Sequence, residues 1–387
     1  MSKVMYLLEY PIDLPGGAQM STQSLCQGLR KARAGIEPVV VCPSLLEKSK
    51  EDYPYSVITY KAYENRENRK IVRFWNLILR IFAYREIINK VKPDIVHIQM
   101  PESAIAYGIL KTFGLFPNIK YVFTDRGLYY GYRKHSISLL CYSLKYGDQI
   151  LCTTKLNKNL WLENTNFSNI ALISNTISDE FEEYREEKRR EVRKRQGYGE
   201  NDFVLGFAGR VCQEKNWPLV QKICRALTDR KIHYKVELVM AVFEQGDEEV
   251  VKEVRKGIEE CIGKENLCYH QDLSQSEMAD YYYAVDVFLM TSKFESFGKA
   301  AVEAMSRKCA IISTKAGGLV EVVGKEENLY EVDNIKKCVD YIEELERNRE
   351  KLKEEKAFFY ERYEKNYSQK KCLKEHILLY EKLLRKD

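Results

Sequence analysis

No run in this chain reaches the roughly 18 consecutive apolar residues that a membrane-spanning helix requires, which sets aside a transmembrane protein. The apolar stretch at the N-terminus is short and stops at Glu9, so it fits a first core strand better than a secretion signal. The 11 cysteines fall singly, with no Cys-x-x-Cys pair and no histidine at zinc-ligand spacing. That argues against a disulfide scaffold and a zinc module, and leaves free thiols in a reducing cytosol. An excess of one charge is also missing: 62 basic against 57 acidic residues give +5, so the total points to no nucleic-acid partner and any basic site must be local. There is no internal repeat and no low-complexity tract.

What the chain does have is 387 residues at 45% hydrophobic content, enough for two α/β domains of ordinary size. Short β-rich apolar runs alternate with helical patterns, the mark of parallel sheets wrapped by helices. Strands are predicted near 3–9, 37–42, 56–60, 94–98, 119–124, 148–153 and 170–173. A second series follows near 203–208, 235–240, 267–270, 285–290 and 309–313. Residues 179–195, rich in Glu, Lys and Arg, read as a solvated helical connection, which places a boundary near 180. Residues 341–365 form a charged helical stretch, and Cys372, Leu373, Ile377, Leu378, Tyr380, Leu383 and Leu384 continue at helical spacing as an apolar face needing a partner.

Residues 286–305 carry the densest chemistry. A strand ends at Met290, a loop carries Glu295, and Ser296 is placed to cap a helix running to about Ser306. The first turn of such a helix presents amides at Gly298, Lys299 and Ala300 together with the positive end of its dipole, a ready phosphate site. Glu303 follows about two turns beyond Glu295, so the two carboxylates can meet different parts of one ligand, and carboxylates accept well from vicinal sugar hydroxyls. Gly317 and Gly318 mark another strand-to-loop junction. By spacing alone, the stretch reads equally as a capped core helix with surface acids.

Taken together, Glu295-x7-Glu303, the intervening Phe297-Gly298 and the following Gly317-Gly318-x-x-Glu321 resemble the donor-site signature of glycosyltransferase family 4, whose members have the GT-B fold. Upstream, Gly209-Arg210-x4-Lys215 resembles the family's Gly-Arg-x4-Lys element. The resemblance implies an α/β protein of two Rossmann-like domains with a donor cleft between them. Residues 1–180 would be the acceptor-side domain, completed by a returning C-terminal helix at 366–387, and residues 181–365 the nucleotide-sugar domain. It further implies that Arg210 and Lys215 grip the donor diphosphate beside Phe297, Gly298, Lys299 and Ala300, that Glu303 holds the ribose hydroxyls and Glu295 the donor hexose. Each cation–phosphate pair at about 4 Å is worth roughly 4 kcal/mol at an effective dielectric near 20, before desolvation. Two such contacts could replace a metal ion. No Asp-x-Asp pair occurs, the arrangement used by metal-dependent transferases of the other major fold, so no metal and no cofactor is expected beyond the nucleotide-sugar substrate.

The N-terminal half matches more loosely. Gly16-Gly17 after the first strand allows close backbone approach, and the family uses this loop against the donor. His97 lies in Asp94-x-x-His97-x-Gln99, where the family usually has a second His at the last position; it reads equally as a core or cap residue and as a ligand contact. In Thr124-Asp125-Arg126-Gly127, Asp125 stands where family members often carry His, and is taken with Arg210, Lys215 and Glu295 as a catalytic candidate. Arg126, Tyr129, Tyr130 and Arg133 join His97 and Asp125 as acceptor-side candidates, aromatic and cationic at once, or simply an exposed loop helix.

Residues 61–92 hold nine basic and three acidic residues around an apolar heart too short to span a bilayer. They suit a helix lying on an anionic membrane, or equally a buried helix with snorkelling arginines. The function so implied is retaining transfer of a hexose or N-acetylhexosamine, from a UDP-sugar by preference, to a glycan or lipid-linked acceptor of bacterial cell-surface polysaccharide synthesis. The protein would be cytoplasmic, at the inner face of the membrane, with no nucleic-acid partner. A GT-B sugar-nucleotide epimerase and a non-catalytic partner subunit are the competing readings.

Overall fold

The apolar runs become parallel strands, and the helical patterns between them become the crossovers that cover both faces of each sheet. The computed structural model describes every residue except 15, 45–51, 64–69, 176, 243–245 and 386–387, so Pro15 of the glycine turn and part of the basic segment lie outside the described residues. Two compact units result, Met1–Ser178 with Gln369–Asp387, and Asp179–Ser368.

In the first unit, β1 (Ser2–Leu7), β2 (Ile36–Pro43), β3 (Ser56–Tyr60), β4 (Ile95–Ile98), β5 (Lys120–Asp125), β6 (Gln149–Cys152) and β7 (Ile170–Leu172) pair in the order β3-β2-β1-β4-β5-β6-β7. Period-two alternation sorts β1 between two cores. Val4 and Tyr6 pack with Leu25 and Leu29 of α1 (Gly17–Lys31) and Tyr380 of α14 (Gln369–Leu384). Met5 and Leu7 pack on the other face with Tyr84 of α2 (Lys70–Val91), Tyr107 of α3 (Pro101–Thr112), Leu140 of α4 (Lys134–Leu144) and Trp161 of α5 (Lys155–Asn164). The last helix thus finds its partner in α1: Leu373, Ile377, Leu383 and Leu384 pack on that core, and Leu373 methyls lie 3.4 Å from where a Cβ on Gly28 would stand. Leu378, expected on the same apolar face, instead points outward and is 52% exposed.

In the second unit, β8 (Val204–Arg210), β9 (Lys235–Ala241), β10 (Leu267–Gln271), β11 (Val287–Met290), β12 (Ala310–Thr314) and β13 (Leu329–Tyr330) pair in the order β10-β9-β8-β11-β12-β13. Around them run α6 (Glu186–Arg195), α7 (Trp217–Asp229), α8 (Asp247–Ile262), α9 (Gln275–Ala284), α10 (Lys299–Ser306), α11 (Leu319–Val323), α12 (Ile335–Arg347) and α13 (Arg349–Asn366). Every strand expected from the sequence is present, with ends shifted by at most two residues; β13 was not expected.

The connection read as solvated is docked. Arg189 and Arg193 of α6 reach Asp286 at 2.6 and 3.1 Å, and Lys356 joins them on the same carboxylate, which is 4% exposed and also accepts the Val204 amide. Burial opposes ionisation there, but the Lys356, Arg189 and Arg193 cations outweigh it and hold Asp286 well below the usual carboxylate range.

Both sheets reverse their winding once, between β1 and β4 in the first unit and between β8 and β11 in the second. The carboxyl ends of strands at such a reversal are where open α/β sheets bind ligands.

Candidate functional site

In the second unit the reversal gathers the donor-site candidates. Arg210 closes β8 and is exposed at its carboxyl end. The chain then makes a short helical turn over Gln213–Lys215 and passes Asn216 at φ 54°, ψ 50°. This left-handed conformation is one that Asn tolerates better than most residues with a side chain. Lys215 Nζ donates to Glu295 Oε2 at 2.8 Å, with both side chains about four-fifths buried. The lysine stem runs over Gly209, where a Cβ would stand 3.1–3.2 Å from three of its carbons. Thr291 Oγ1 donates to Lys215 O at 2.8 Å and the Lys293 amide to Glu214 O at 2.8 Å, so the loops after β8 and β11 are clipped together.

The helix after Glu295 starts later than expected. Gly298, at φ 100°, ψ 51°, is the residue preceding α10, and Ser296 does not cap it. Only glycine fits comfortably at that angle, so the backbone choice at 298 overrides the capping preference of serine. The amides of Lys299 and Ala300 therefore open the helix. Gly318 presses against this loop: its amide donates to Glu295 O at 2.9 Å, and a Cβ there would lie 2.2 Å from Ser296 O. Phe297, 2% exposed, packs edge-on against Tyr367 and anchors the loop from below.

Glu303 is 6% exposed and receives Tyr282 Oη at 3.3 Å, with Lys299 Nζ 3.7 Å from its other oxygen. Burial pushes its carboxyl above the ordinary value, against the pull of Lys299 and, further off, Lys215. Arg210, Lys215, Glu295, Phe297, Gly298, Lys299, Ala300 and Glu303 are thus one neighbourhood of three cations, two carboxylates and a helix start. Such a set can hold a diphosphate and hydroxyl groups. A hollow of ≈ 390 Å³ lined by Phe203, Lys235 and Asn266 lies at the opposite, amino ends of the strands.

The first unit treats its candidates differently. Gly16 and Gly17 form the entry to α1, with Gly16 in extended backbone and no side-chain cap or acid in the first turn. His97 is fully buried, its Nδ1 2.7 Å from Tyr380 Oη and its Nε2 2.7 Å from Thr124 Oγ1, and burial holds it well below its ordinary pKa. Tyr6 Oη completes the chain to Tyr380 at 2.8 Å. His97 thus sits in the core, with both ring nitrogens engaged.

Asp125 is likewise enclosed. It is fully buried, and its two oxygens accept four donors: the Gly127 amide at 2.9 Å, Tyr132 Oη at 2.6 Å, Asn157 Nδ2 at 2.8 Å and Trp161 Nε1 at 2.7 Å. A carboxylate has about four lone-pair sites. All are filled, so Asp125 is the fastener of the loop after β5 and has no acceptor left for a substrate. Around it, Tyr129 packs edge-on to Trp161, whereas Tyr130 and Arg133 are exposed.

Sequence reading overlooked Glu9. It follows β1 at the reversal and accepts the Glu102 and Ser103 amides at 2.5 and 3.0 Å, at the start of α3. Burial raises its carboxyl to about 7. Its visible signal was an acid ending the first apolar run, which was used only to reject a signal peptide. Reading no zinc-type spacing also missed one grouping: Glu237 on β9 and Cys268 and His270 on the neighbouring edge strand β10 each bring one ligand-type atom within 4.8 Å of the others. There His270 Nε2 lies 2.8 Å from Glu237 Oε2 and 3.3 Å from Cys268 Sγ.

Known proteins of similar sequence and shape extend this picture. The uncharacterized glycosyltransferase MJ1178 of Methanocaldococcus jannaschii is 25% identical over 360 residues, covering 87% of this chain and 92% of its own length. The phosphatidylinositol N-acetylglucosaminyltransferase GPI3 subunit of Saccharomyces cerevisiae is 27% identical over 254 residues, 64% of this chain and 53% of its length. Among solved structures, sucrose-phosphate synthase of Thermosynechococcus elongatus superposes with TM-score 0.83 at 16% identity over 99% of both chains. Anabaena Alr3699/HepE in complex with UDP and glucose superposes at 0.78 and 13% identity, over 98% of this chain and all of its own. Those likenesses establish the fold as GT-B. Residues 15–181 match the family described as Glycosyltransferase Family 4 and residues 188–365 that described as Glycosyl transferases group 1, and with them the chain belongs to the family 4 glycosyltransferases.

Proposed function

We propose that this chain transfers a hexose or N-acetylhexosamine from a nucleotide diphosphate sugar, UDP-linked by preference, to a glycan or lipid-linked acceptor, with retention of configuration and without a metal ion. The observation that carries it is the pairing of Lys215 with Glu295 beside an exposed Arg210 at the reversal of the second sheet. In this reading the acceptor oxygen bonds to the anomeric carbon as the bond to the diphosphate oxygen breaks on the same face, and the acceptor proton passes to the departing diphosphate. Arg210, Lys215 and the amides opening α10 stabilise the charge that develops there. Glu295 orients the sugar and Glu303 the ribose. The similarity to a protein solved with UDP and glucose supports the donor, and that to a phosphatidylinositol N-acetylglucosaminyltransferase subunit supports an amino sugar and a lipid acceptor. Cell-surface polysaccharide synthesis follows from this acceptor class.

Donor hydrolysis across a nucleotide-sugar panel, with chelator present, tests the chemistry. Arg210→Ala should lower kcat by more than it raises KM, because its contact strengthens as the bond breaks. Equal effects on both, or activity lost with chelator and restored by magnesium, would refute the mechanism. An isomerised donor without any acceptor would instead identify an epimerase, and tight donor binding without turnover a non-catalytic subunit.

The cytoplasmic site of action would be the inner face of the membrane. Among the described residues no helix is long and apolar enough to cross a bilayer. On α2, however, Ile71, Phe74, Trp75 and Phe82 are 71%, 59%, 51% and 64% exposed, while Asn76, Arg80, Tyr84 and Ile88 face inward. An outward aromatic stripe on a helix with basic flanks supports contact with an anionic bilayer. Co-sedimentation with anionic vesicles should fall on Phe74→Asp/Trp75→Asp; no binding by the wild type sinks this placement and leaves the chemistry standing.

A further inference from the structure

Beside the reversal of the first sheet stands a cation that no carboxylate among the described residues neutralises. Arg126 directly follows β5, and burial pulls its guanidinium down to about 10. Its Nε and Nη2 both donate to Gln99 Oε1, at 3.1 and 2.8 Å, and among the described residues no carboxylate is paired with it. Its field falls instead on His97 and His376, both held in the neutral form by burial. Arg126 is half-buried, so its charge is poorly solvated, meets no counter-charge among the described residues, and is still within reach of an arriving anion.

Gln99 supplies the second, independent observation. It directly follows β4, is 2% exposed, and its Oε1 is committed to Arg126 and to Thr22 Oγ1 of α1 at 3.0 Å. Its Nε2 is buried and has no partner. Turning the amide over would set its N–H groups against those of Arg126, so the orientation is fixed and the donor stays orphaned. One uncompensated cation and one orphan donor therefore stand side by side, with the uncapped, acid-free entry to α1 on the same edge of the sheet.

We propose that Arg126 and Gln99 form a receptor for a phosphate group carried by the acceptor. This assignment rests on the transferase reading, since it names a property of that reaction's acceptor. A planar carboxylate would favour the side-on fork of Nε and Nη2, and Gln99 already occupies it. What remains, the Nη1 edge and an amide N–H from another plane, suits the several oxygens of a tetrahedral phosphate. Asp125, the chain neighbour of Arg126, spends its lone pairs on four other donors and leaves this charge uncancelled.

The full chain should be titrated by calorimetry with inorganic phosphate, glycerol 3-phosphate, acetate and UDP, alongside Arg126→Met. With UDP saturating the proposed donor site, phosphate and glycerol 3-phosphate should bind the wild type and bind the variant about 10- to 100-fold more weakly, the loss expected for a charge-assisted contact. Acetate should bind more weakly than phosphate, and UDP should bind both proteins alike, which also reports that the variant is folded. Without ligand, Arg126→Met should melt no lower than the wild type, because it removes an unpaid charge; a purely structural arginine would melt lower and leave phosphate binding unchanged. Equal phosphate binding by the two proteins, no phosphate binding by the wild type, or UDP binding lost in the variant would each overturn the assignment. Failure of UDP to bind either protein would instead count against the transferase reading beneath it.

Discussion

Gly318→Ala isolates the packing that positions the loop carrying Glu295, the proposed donor contact. The residue sits at φ −67°, ψ −16°, a conformation alanine adopts freely, so the backbone change alone would favour the variant by about 0.4–1 kcal/mol. The obstacle is steric. The new Cβ would stand 2.2 Å from Ser296 O, 2.8 Å from Ser296 C and 3.0 Å from Phe297 Cα, all backbone and none able to rotate aside. The loop must retreat by roughly 1 Å, and a misplacement of that size costs on the order of 10²-fold when reacting groups are held by it. The Gly318 amide also holds Glu295 O, so the shift reaches the carboxylate paired with Lys215. In donor hydrolysis, kcat/KM should fall by about 10²-fold while the melting temperature moves little. Gly199→Ala, whose Cβ would meet nothing nearer than Asp202 Oδ2 at 3.7 Å, is the matched control and should be neutral. Activity within about twofold of wild type in Gly318→Ala would refute the claim that this glycine contact sets the loop.

Asp125→Ala should act on stability before chemistry, because it strands Trp161 Nε1 and Asn157 Nδ2 in fully buried surroundings; a loss of about 2–5 kcal/mol in urea denaturation is expected. A stable but inactive variant would restore the catalytic reading. Glu9, raised from 4.5 to about 7, takes up a proton more readily folded than unfolded, so it contributes stability that is full below about pH 4.5 and is lost as pH climbs through 7. Glu9→Gln should flatten the pH dependence of melting between those limits, and an unchanged slope would show that another group titrates there. Asp286→Ala should cost about 3–5 kcal/mol, since Arg189, Arg193 and Lys356 would be left buried around an empty centre, and melting of the second unit's transition reports it.

Strand positions were legible because a strand buried on both faces writes a continuous apolar run, and β13 escaped because two residues are too few to make one. The neighbourhood proposed to hold the donor was legible because its parts lie within two strand-to-helix junctions. What stayed hidden was set by distant partners. His97 reads equally as a core residue and as a ligand contact because its partner Tyr380 lies 283 positions away, and the charged run at 179–195 reads as solvated until Asp286 is placed beneath Arg189 and Arg193. Ser296 shows the opposite failure, a sound local preference defeated by one residue in a left-handed conformation.

The packing of α14 on α1 has a consequence for how the protein is made. Residues 1–178 cannot close their core against Leu25 and Leu29 until α14 leaves the ribosome, nearly two hundred residues later, whereas the second unit is continuous in sequence. The usual order of synthesis, first-made domain folded first, is therefore inverted, and the half of the chain translated last but one is the half able to mature first. A stop codon placed just before Gln369 should leave the second unit intact and the first an aggregation-prone, open-faced sheet.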